Sequence, residues 1–172
     1  MHVKAPFSPV GLLEGLTRAR RIVGALCVAC LTMLPVQLFG QDLEYALVVG
    51  ETGYSLADLE RRPQITFTTL TIFEDEALVF SGPSLRGLLV ENGLADEAIV
   101  AHGLDGYAAV VPPELVNDNY PIIATRINGK RFGPRRKGPL WIVFPFDRFT
   151  PLQNAQLYNV SVWQLQRIDG EG

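Results

Sequence analysis

The stretch that decides the fold of this chain is Arg135-Arg136-Lys137-Gly138-Pro139-Leu140-Trp141-Ile142-Val143-Phe144-Pro145-Phe146. It runs from three cations through a Gly-Pro pair into an apolar run that is interrupted at Pro145. A short apolar run rich in β-branched and aromatic residues predicts a strand that is buried on both faces. The Gly-Pro pair predicts the turn that leads into it. The stretch therefore predicts a buried strand that is entered from a positively charged loop.

The chain of 172 residues has room for one domain and a targeting segment. Hydrophobic residues make up 48% of it and charged residues 19%, which is typical of a globular protein and argues against disorder. The sequence contains no internal repeat and no low-complexity segment. We therefore expect a single folded domain.

Residues 1–40 have the three parts of a secretory signal peptide. A basic patch at residues 18–21 precedes an apolar run at residues 22–36, and a short exit segment ends at Gly40. The apolar run has 15 residues, fewer than the roughly 20 that a membrane-spanning helix needs. We predict cleavage after Gly40 and a periplasmic or secreted domain at residues 41–172. An uncleaved membrane anchor is the alternative, because apolar residues just before Gly40 would lengthen the span.

Cleavage would remove both cysteines, Cys27 and Cys30. The mature domain would then have no disulfide, no cysteine nucleophile and no thiolate metal ligand. The leader carries four of the 15 basic residues and one of the 18 acidic residues, so 11 basic and 17 acidic residues remain, a net charge of −6. A mildly acidic domain has no general attraction to nucleic acid or to anionic membranes, so any anion site must be local.

The mature chain alternates short strand candidates with two or three short helices. The first helix begins with a capping box formed by Ser55 and Asp58. The second presents leucines on one face within residues 85–89. Near the end we predict a loop at residues 147–154 and a last strand at residues 158–168. The pattern indicates an α+β domain, rich in mixed sheet, with short helices that cover the sheet.

The candidate binding site is the cationic cluster, six basic residues within residues 126–137: Arg126, Lys130, Arg131, Arg135, Arg136 and Lys137. From it we predict an anion or partner site made of Arg126, Lys130, Arg135, Arg136 and Lys137. Guanidinium groups bind phosphate through two parallel hydrogen bonds, and they equally suit an acidic protein surface. The alternative is a solvated loop, which runs of charge usually are.

Three other features are interpreted as structural. His102 precedes Asp105 by three residues, but no Gly-x-Ser-x-Gly motif accompanies them, so we predict a turn there. The acids at residues 74–76 lack the spacing of a calcium loop and predict the tip of a hairpin. Trp141 and Trp163 lie in apolar strand candidates, so we predict that both belong to the core.

Several segments, taken together, resemble the molybdopterin-binding domain of the sulfite-oxidase-type oxidoreductases, and above all its small, secreted, single-domain members. They cover nearly the whole mature chain in the family's order: Ser55-Leu56-Ala57-Asp58-Leu59, Phe80-Ser81-Gly82-Pro83-Ser84-Leu85-Arg86-Gly87-Leu88-Leu89, Tyr107-Ala108-Ala109-Val110-Val111-Pro112, Arg126-Ile127-Asn128-Gly129-Lys130, Lys137-Gly138-Pro139-Leu140-Trp141 and Ser161-Val162-Trp163-Gln164-Leu165. The resemblance implies that family's fold.

The resemblance also implies a departure at the metal position. Counting back from Phe80-Ser81-Gly82 without gaps places Leu70 where the catalytic members have the cysteine that binds molybdenum. We therefore expect a non-catalytic binding or sensory-accessory module with no cofactor. One alternative is a molybdopterin-dependent oxidoreductase that keeps its cofactor without a cysteine ligand, the pterin phosphate lying at the cationic cluster. Another is a secreted structural domain without a ligand.

Overall fold

The computed structural model describes residues 45–172, and the predicted signal peptide lies outside these residues. The strands of the described part are β1 (Leu47–Val49), β2 (Thr52–Tyr54), β3 (Ile65–Thr69), β4 (Leu78–Gly82), β5 (Ile99–Gly103), β6 (Ala108–Val111), β7 (Ile122–Ala124), β8 (Arg126–Ile127), β9 (Trp141–Val143) and β10 (Leu165–Gly170). Its α-helices are α1 (Leu56–Arg61), α2 (Leu85–Glu91) and α3 (Pro151–Asn159), with 3-10 turns at Pro113–Leu115, Pro134–Arg136 and Phe146–Arg148. In this part of the chain, no helix has both the length and the hydropathy of a membrane span.

The largest sheet has five strands in the order β2-β1-β10-β5-β6. Strands β1 and β10 run parallel, while the other neighbours are antiparallel. Strand β5 buries every second residue, so one face of this sheet lies on the core and the other is more open to solvent. The last strand of the chain therefore lies between β1 and β5 and joins the two ends of the domain.

Two smaller sheets, β3-β4-β8 and β7-β9, complete the core. Gly82 at the end of β4 allows β7 to approach closely, because a Cβ atom there would lie 1.9 Å from the carbonyl oxygen of Ile123. Strand β9 is completely buried, and the Trp141 ring meets Phe80 edge to face at 5.4 Å between ring centroids. The predicted doubly buried strand is confirmed.

The first two helices cover the sheets as the sequence indicates. Before α1, the Ser55 hydroxyl accepts the Asp58 N–H at 3.2 Å, and the Asp58 carboxylate accepts the Ser55 N–H at 2.9 Å. This reciprocal pair satisfies two otherwise free amides of the first helical turn. Helix α2 buries its three leucines, Leu85, Leu88 and Leu89. The domain is thus a sheet-rich mixture of strands and short helices, of the α+β class.

The predicted loop at residues 147–154 is wrong in its second half, and the predicted last strand at residues 158–168 is confirmed only from Leu165 onward. Helix α3 covers residues 151–159, and the last strand, β10, runs from Leu165 to Gly170. The Thr150 hydroxyl accepts the Gln153 N–H at 3.4 Å, while the Gln153 side chain accepts the Thr150 N–H at 3.0 Å. Pro151 follows at the first helical position, where its missing N–H costs nothing. This capping box starts a helix where a loop was expected.

Candidate functional site

Arg126 and Arg131 of the cationic cluster bind Glu60 on α1. Arg126 Nη2 lies 3.0 Å from Glu60 Oε1, and Arg131 Nε donates to the same oxygen at 3.1 Å. The hydrogen bond from Arg131 lowers the pKa of Glu60 below its usual range, and the charge of Arg126 acts in the same direction. Because Glu60 already neutralises part of their charge, these two arginines are less free for a ligand than the sequence indicates.

Lys137 ties the turn before β9 to the hairpin loop between β3 and β4. Its ammonium donates to the Phe73 carbonyl at 3.0 Å and lies 2.5 Å from Glu74 Oε1. It also lies 5.6 Å from the ring centroid of Phe73 and 5.4 Å from that of Trp141. These contacts give Lys137 a structural role, because its charge and donors are used within the domain.

Lys130, Arg135 and Arg136 are exposed and form no ion pair with another residue of the segment 45–172. The cations of the cluster that carries the predicted site therefore do not form one group, because some pair with Glu60, one pairs with Glu74 and the rest face solvent. No residue of the cluster lines either of the cavities described next. The acidic hairpin tip predicted at residues 74–76 does join two antiparallel strands, β3 and β4.

A cleft rich in aromatic side chains, which we call the aromatic cleft, was not predicted from the sequence. Its volume is about 250 Å³. It is lined by Ile72, Phe73, Asp105, Tyr107, Tyr158, Asn159, Ser161 and Trp163. An adjoining cavity of about 350 Å³ shares two of these residues and is lined by Leu70, Thr71, Ile72, Phe146, Asp147, Phe149, Asn154 and Tyr158.

Edge-to-face packing holds the rings of the aromatic cleft in place. The Phe73 ring is perpendicular to Trp163 at 4.9 Å between centroids, and it meets Tyr158 at 5.9 Å and 80°. The Tyr107 hydroxyl donates to the Asn159 carbonyl at 2.7 Å and so fixes the opposite wall. Trp141 is wholly buried, as expected, but Trp163 is only half-buried and lines the cleft, so the prediction of a core role holds for one tryptophan and is incomplete for the other.

Asp105 supplies the negative charge of the aromatic cleft. Its Oδ1 accepts the Tyr107 N–H at 3.0 Å, and its Oδ2 accepts the Trp163 Nε1–H at 3.3 Å. The predicted turn is confirmed at Leu104 and Asp105, whereas His102 lies in β5 and pairs with Asp169 at 3.5 Å rather than with Asp105. Two donors thus orient an exposed carboxylate on the cleft wall.

The adjoining cavity carries a second carboxylate, Asp147, whose Oδ2 accepts the Leu70 N–H at 3.1 Å. Burial raises the pKa of the Tyr158 phenol, and the nearby charge of Asp147 raises it further, so the shared Tyr158 stays neutral at ordinary pH. Asn154 has one buried amide oxygen without a hydrogen-bond partner in the described structure. A ligand or water with a donor group would satisfy that oxygen.

The groups that line the two cavities indicate which chemistry is available there. The Ser161 hydroxyl in the aromatic cleft donates to the Ile142 carbonyl, and no histidine lines either cavity. Within residues 45–172, no group of three or more His, Cys, Asp or Glu side chains is placed to hold a metal ion. Aromatic side chains beside a fixed carboxylate are typical of a site that binds a small molecule.

The aromatic cleft could not be predicted from the sequence, because the residues that line it are far apart in the chain. Residues 70–73, 105–107 and 158–163 contribute most of them. The Thr150–Gln153 capping box was the available signal for α3, which brings Tyr158 to both cavities. No protein-family model matches this chain, and a comparison with curated proteins gave no match.

Proposed function

We propose that this protein is a non-catalytic ligand-binding module, exported by its signal peptide, on a fold of the sulfite-oxidase molybdopterin-binding type. The sheet-rich α+β architecture is compatible with that fold. The segments that carry the resemblance lie at structurally defined positions: Ser55 caps α1, Phe80-Ser81-Gly82 forms the end of β4, and Lys137-Gly138-Pro139-Leu140-Trp141 leads into β9.

Leu70 is the observation that carries the non-catalytic part of the proposal. Counting back from Phe80-Ser81-Gly82 without gaps places it where the resembled family has the molybdenum cysteine. Its side chain lines the adjoining cavity, and 44% of the residue is exposed. An aliphatic side chain has no atom that can coordinate a metal. The domain from residue 41 onward contains no cysteine that could replace it.

The polar groups beside Leu70 do not provide a substitute ligand set. The Thr71 hydroxyl accepts the Phe73 N–H at 3.2 Å, and the Thr69 hydroxyl accepts the Asp147 N–H at 3.4 Å. Neutral hydroxyls are poor replacements for a soft thiolate. The Asp147 carboxylate would also oppose the entry of an anionic cofactor. The residues beside Leu70 therefore do not fit the metal centre of a molybdopterin cofactor, which favours the binding module over the oxidoreductase alternative.

The aromatic cleft is the proposed ligand site, because its rings and one carboxylate converge on a cavity large enough for a small molecule. The exposed cations Lys130, Arg135 and Arg136 support a separate contact, in which an acidic partner surface or a small anion meets the loop before β9. The proposed contact includes three of the five residues of the predicted cationic site. The other two, Arg126 and Lys137, have structural roles.

The test uses protein purified from its native cells grown with ample molybdenum. We expect elemental analysis to find no stoichiometric molybdenum, and pterin fluorescence of the denatured sample to find no pterin. Intact-mass measurement of the same sample should give a chain that begins at or near Gln41. Near-equimolar molybdenum and pterin would refute the proposal and establish a redox protein with an unusual ligand set.

A further inference from the structure

We propose that the aromatic cleft binds a small organic cation with a methylated ammonium group. This inference rests on the proposed binding function and gives its ligand class. Phe73, Tyr107, Tyr158 and Trp163 line a cavity of about 250 Å³ together with Asp105. Aromatic faces carry negative charge density and attract cations, most strongly where water is excluded.

The hydrogen-bond donors of the cleft argue against an anionic ligand. Trp163 Nε1–H and the Tyr107 N–H both donate to Asp105. The Tyr107 hydroxyl donates to the Asn159 carbonyl, and the Ser161 hydroxyl donates to the Ile142 carbonyl. An anion entering the cleft would be repelled by the Asp105 carboxylate, and these four donors, being already engaged, could not replace the hydration that it loses.

The hydrogen-bond acceptors of the cleft favour a methylated ammonium group over a primary one. A primary ammonium has three N–H donors and needs an acceptor for each of them when it leaves water. The cleft side chains offer the carboxylate of Asp105 as their charged acceptor. A quaternary ammonium has no N–H donor, so it requires only ring faces and a compensating charge.

The domain already places one of its own ammonium groups against this ring cluster. Lys137 Nζ lies 5.6 Å from the Phe73 centroid, and Glu74 Oε1 neutralises it at 2.5 Å. Its positive charge therefore opposes a second cation only weakly. Asp147 in the adjoining cavity adds negative charge on the other side of Tyr158. The charged groups around the cleft thus suit a cationic ligand.

The experiment compares choline with dimethylbutanol, the neutral alcohol in which carbon replaces the choline nitrogen. The two probes have nearly the same shape, so their difference isolates the charge. Isothermal titration of the unaltered protein should show choline binding at least about tenfold more tightly. Asp105→Asn should remove most of that preference. Asp96→Asn, the same change at an exposed aspartate that lines neither cavity, should retain it.

Equal or tighter binding of dimethylbutanol would overturn the inference, and so would the absence of choline binding by the unaltered protein. Full choline affinity in folded Asp105→Asn protein would also overturn it. Because the probe comparison needs no variant, misfolding of Asp105→Asn would leave it decisive. Molybdenum and pterin analysis of the same preparation tests the binding-module proposal separately, so failure of the ligand class is distinguishable from failure of the function.

Discussion

Replacing Lys137 with methionine tests whether the cationic cluster contains a structural member. The side chain is 26% exposed, and its ammonium contacts the Phe73 carbonyl, Glu74 and two aromatic rings. Methionine keeps most of the apolar stem but loses the charge and all three donors. The change therefore removes the link between the turn before β9 and the hairpin loop that supplies Phe73 to the aromatic cleft.

The expected loss of unfolding free energy follows from these contacts. A charge-assisted hydrogen bond to a carbonyl contributes about 1.5–3 kcal/mol, with the low end appropriate for a partly exposed donor. The pair with Glu74 adds about 0–1 kcal/mol at a surface position. The two ring contacts add about 0.5–1 kcal/mol each, but they share one ammonium and do not sum fully. We expect a total near 2–3 kcal/mol, or a fall in melting temperature of roughly 6–12 °C.

Urea unfolding followed by tryptophan fluorescence measures this loss, provided that the slope with denaturant is unchanged. The matched control is Arg136→Met in the same loop. Arg136 is exposed and forms no ion pair within residues 45–172, so its loss should cost less than about 0.5 kcal/mol. A double-mutant cycle with Glu74→Gln should give a coupling energy of about 0.5–1 kcal/mol. Equal stability losses for Lys137→Met and Arg136→Met would refute the structural assignment of Lys137.

Short-range signals predicted α1 and the strand at Trp141, although the equally short-range capping box of Thr150 and Gln153 before α3 was missed. The capping box of Ser55 and Asp58 depends on residues three apart, and the structure contains both of its hydrogen bonds. The apolar run around Trp141 needs burial on both faces wherever it lies, so its environment was predictable as well. The position of the signal peptide stays a prediction, because the described residues begin after it.

Contacts between residues far apart in the chain could not be predicted from the spacing of residues in the sequence. Arg131 and Glu60 are 71 residues apart, and nothing in the run of cations indicates which of them an acid neutralises. The aromatic cleft has the same character, because Phe73 and Trp163 become neighbours only when the hairpin loop packs beside the last strand. The cationic cluster is continuous in sequence, but its members contact different parts of the domain. The aromatic cleft, in contrast, is formed by residues that are far apart in sequence.

Two further substitutions test the packing and the electrostatics of this arrangement. Trp141→Ala should cost about 3–5 kcal/mol of unfolding free energy, because the ring is wholly buried and its removal leaves a cavity; a loss below about 1 kcal/mol would contradict the burial. Glu60→Gln should destabilise the domain at neutral pH, since Glu60 pairs with Arg126 and Arg131. The Arg131 hydrogen bond lowers the pKa of folded Glu60 below its unfolded value, so the stabilisation is complete above about pH 5 and is lost as the pH falls through the folded pKa. Urea unfolding at a series of pH values should therefore show wild type and Glu60→Gln converging as the solution becomes acidic. A stability difference that stays constant from neutral pH to about pH 3 would mean that the effect of Glu60 does not come from its charge.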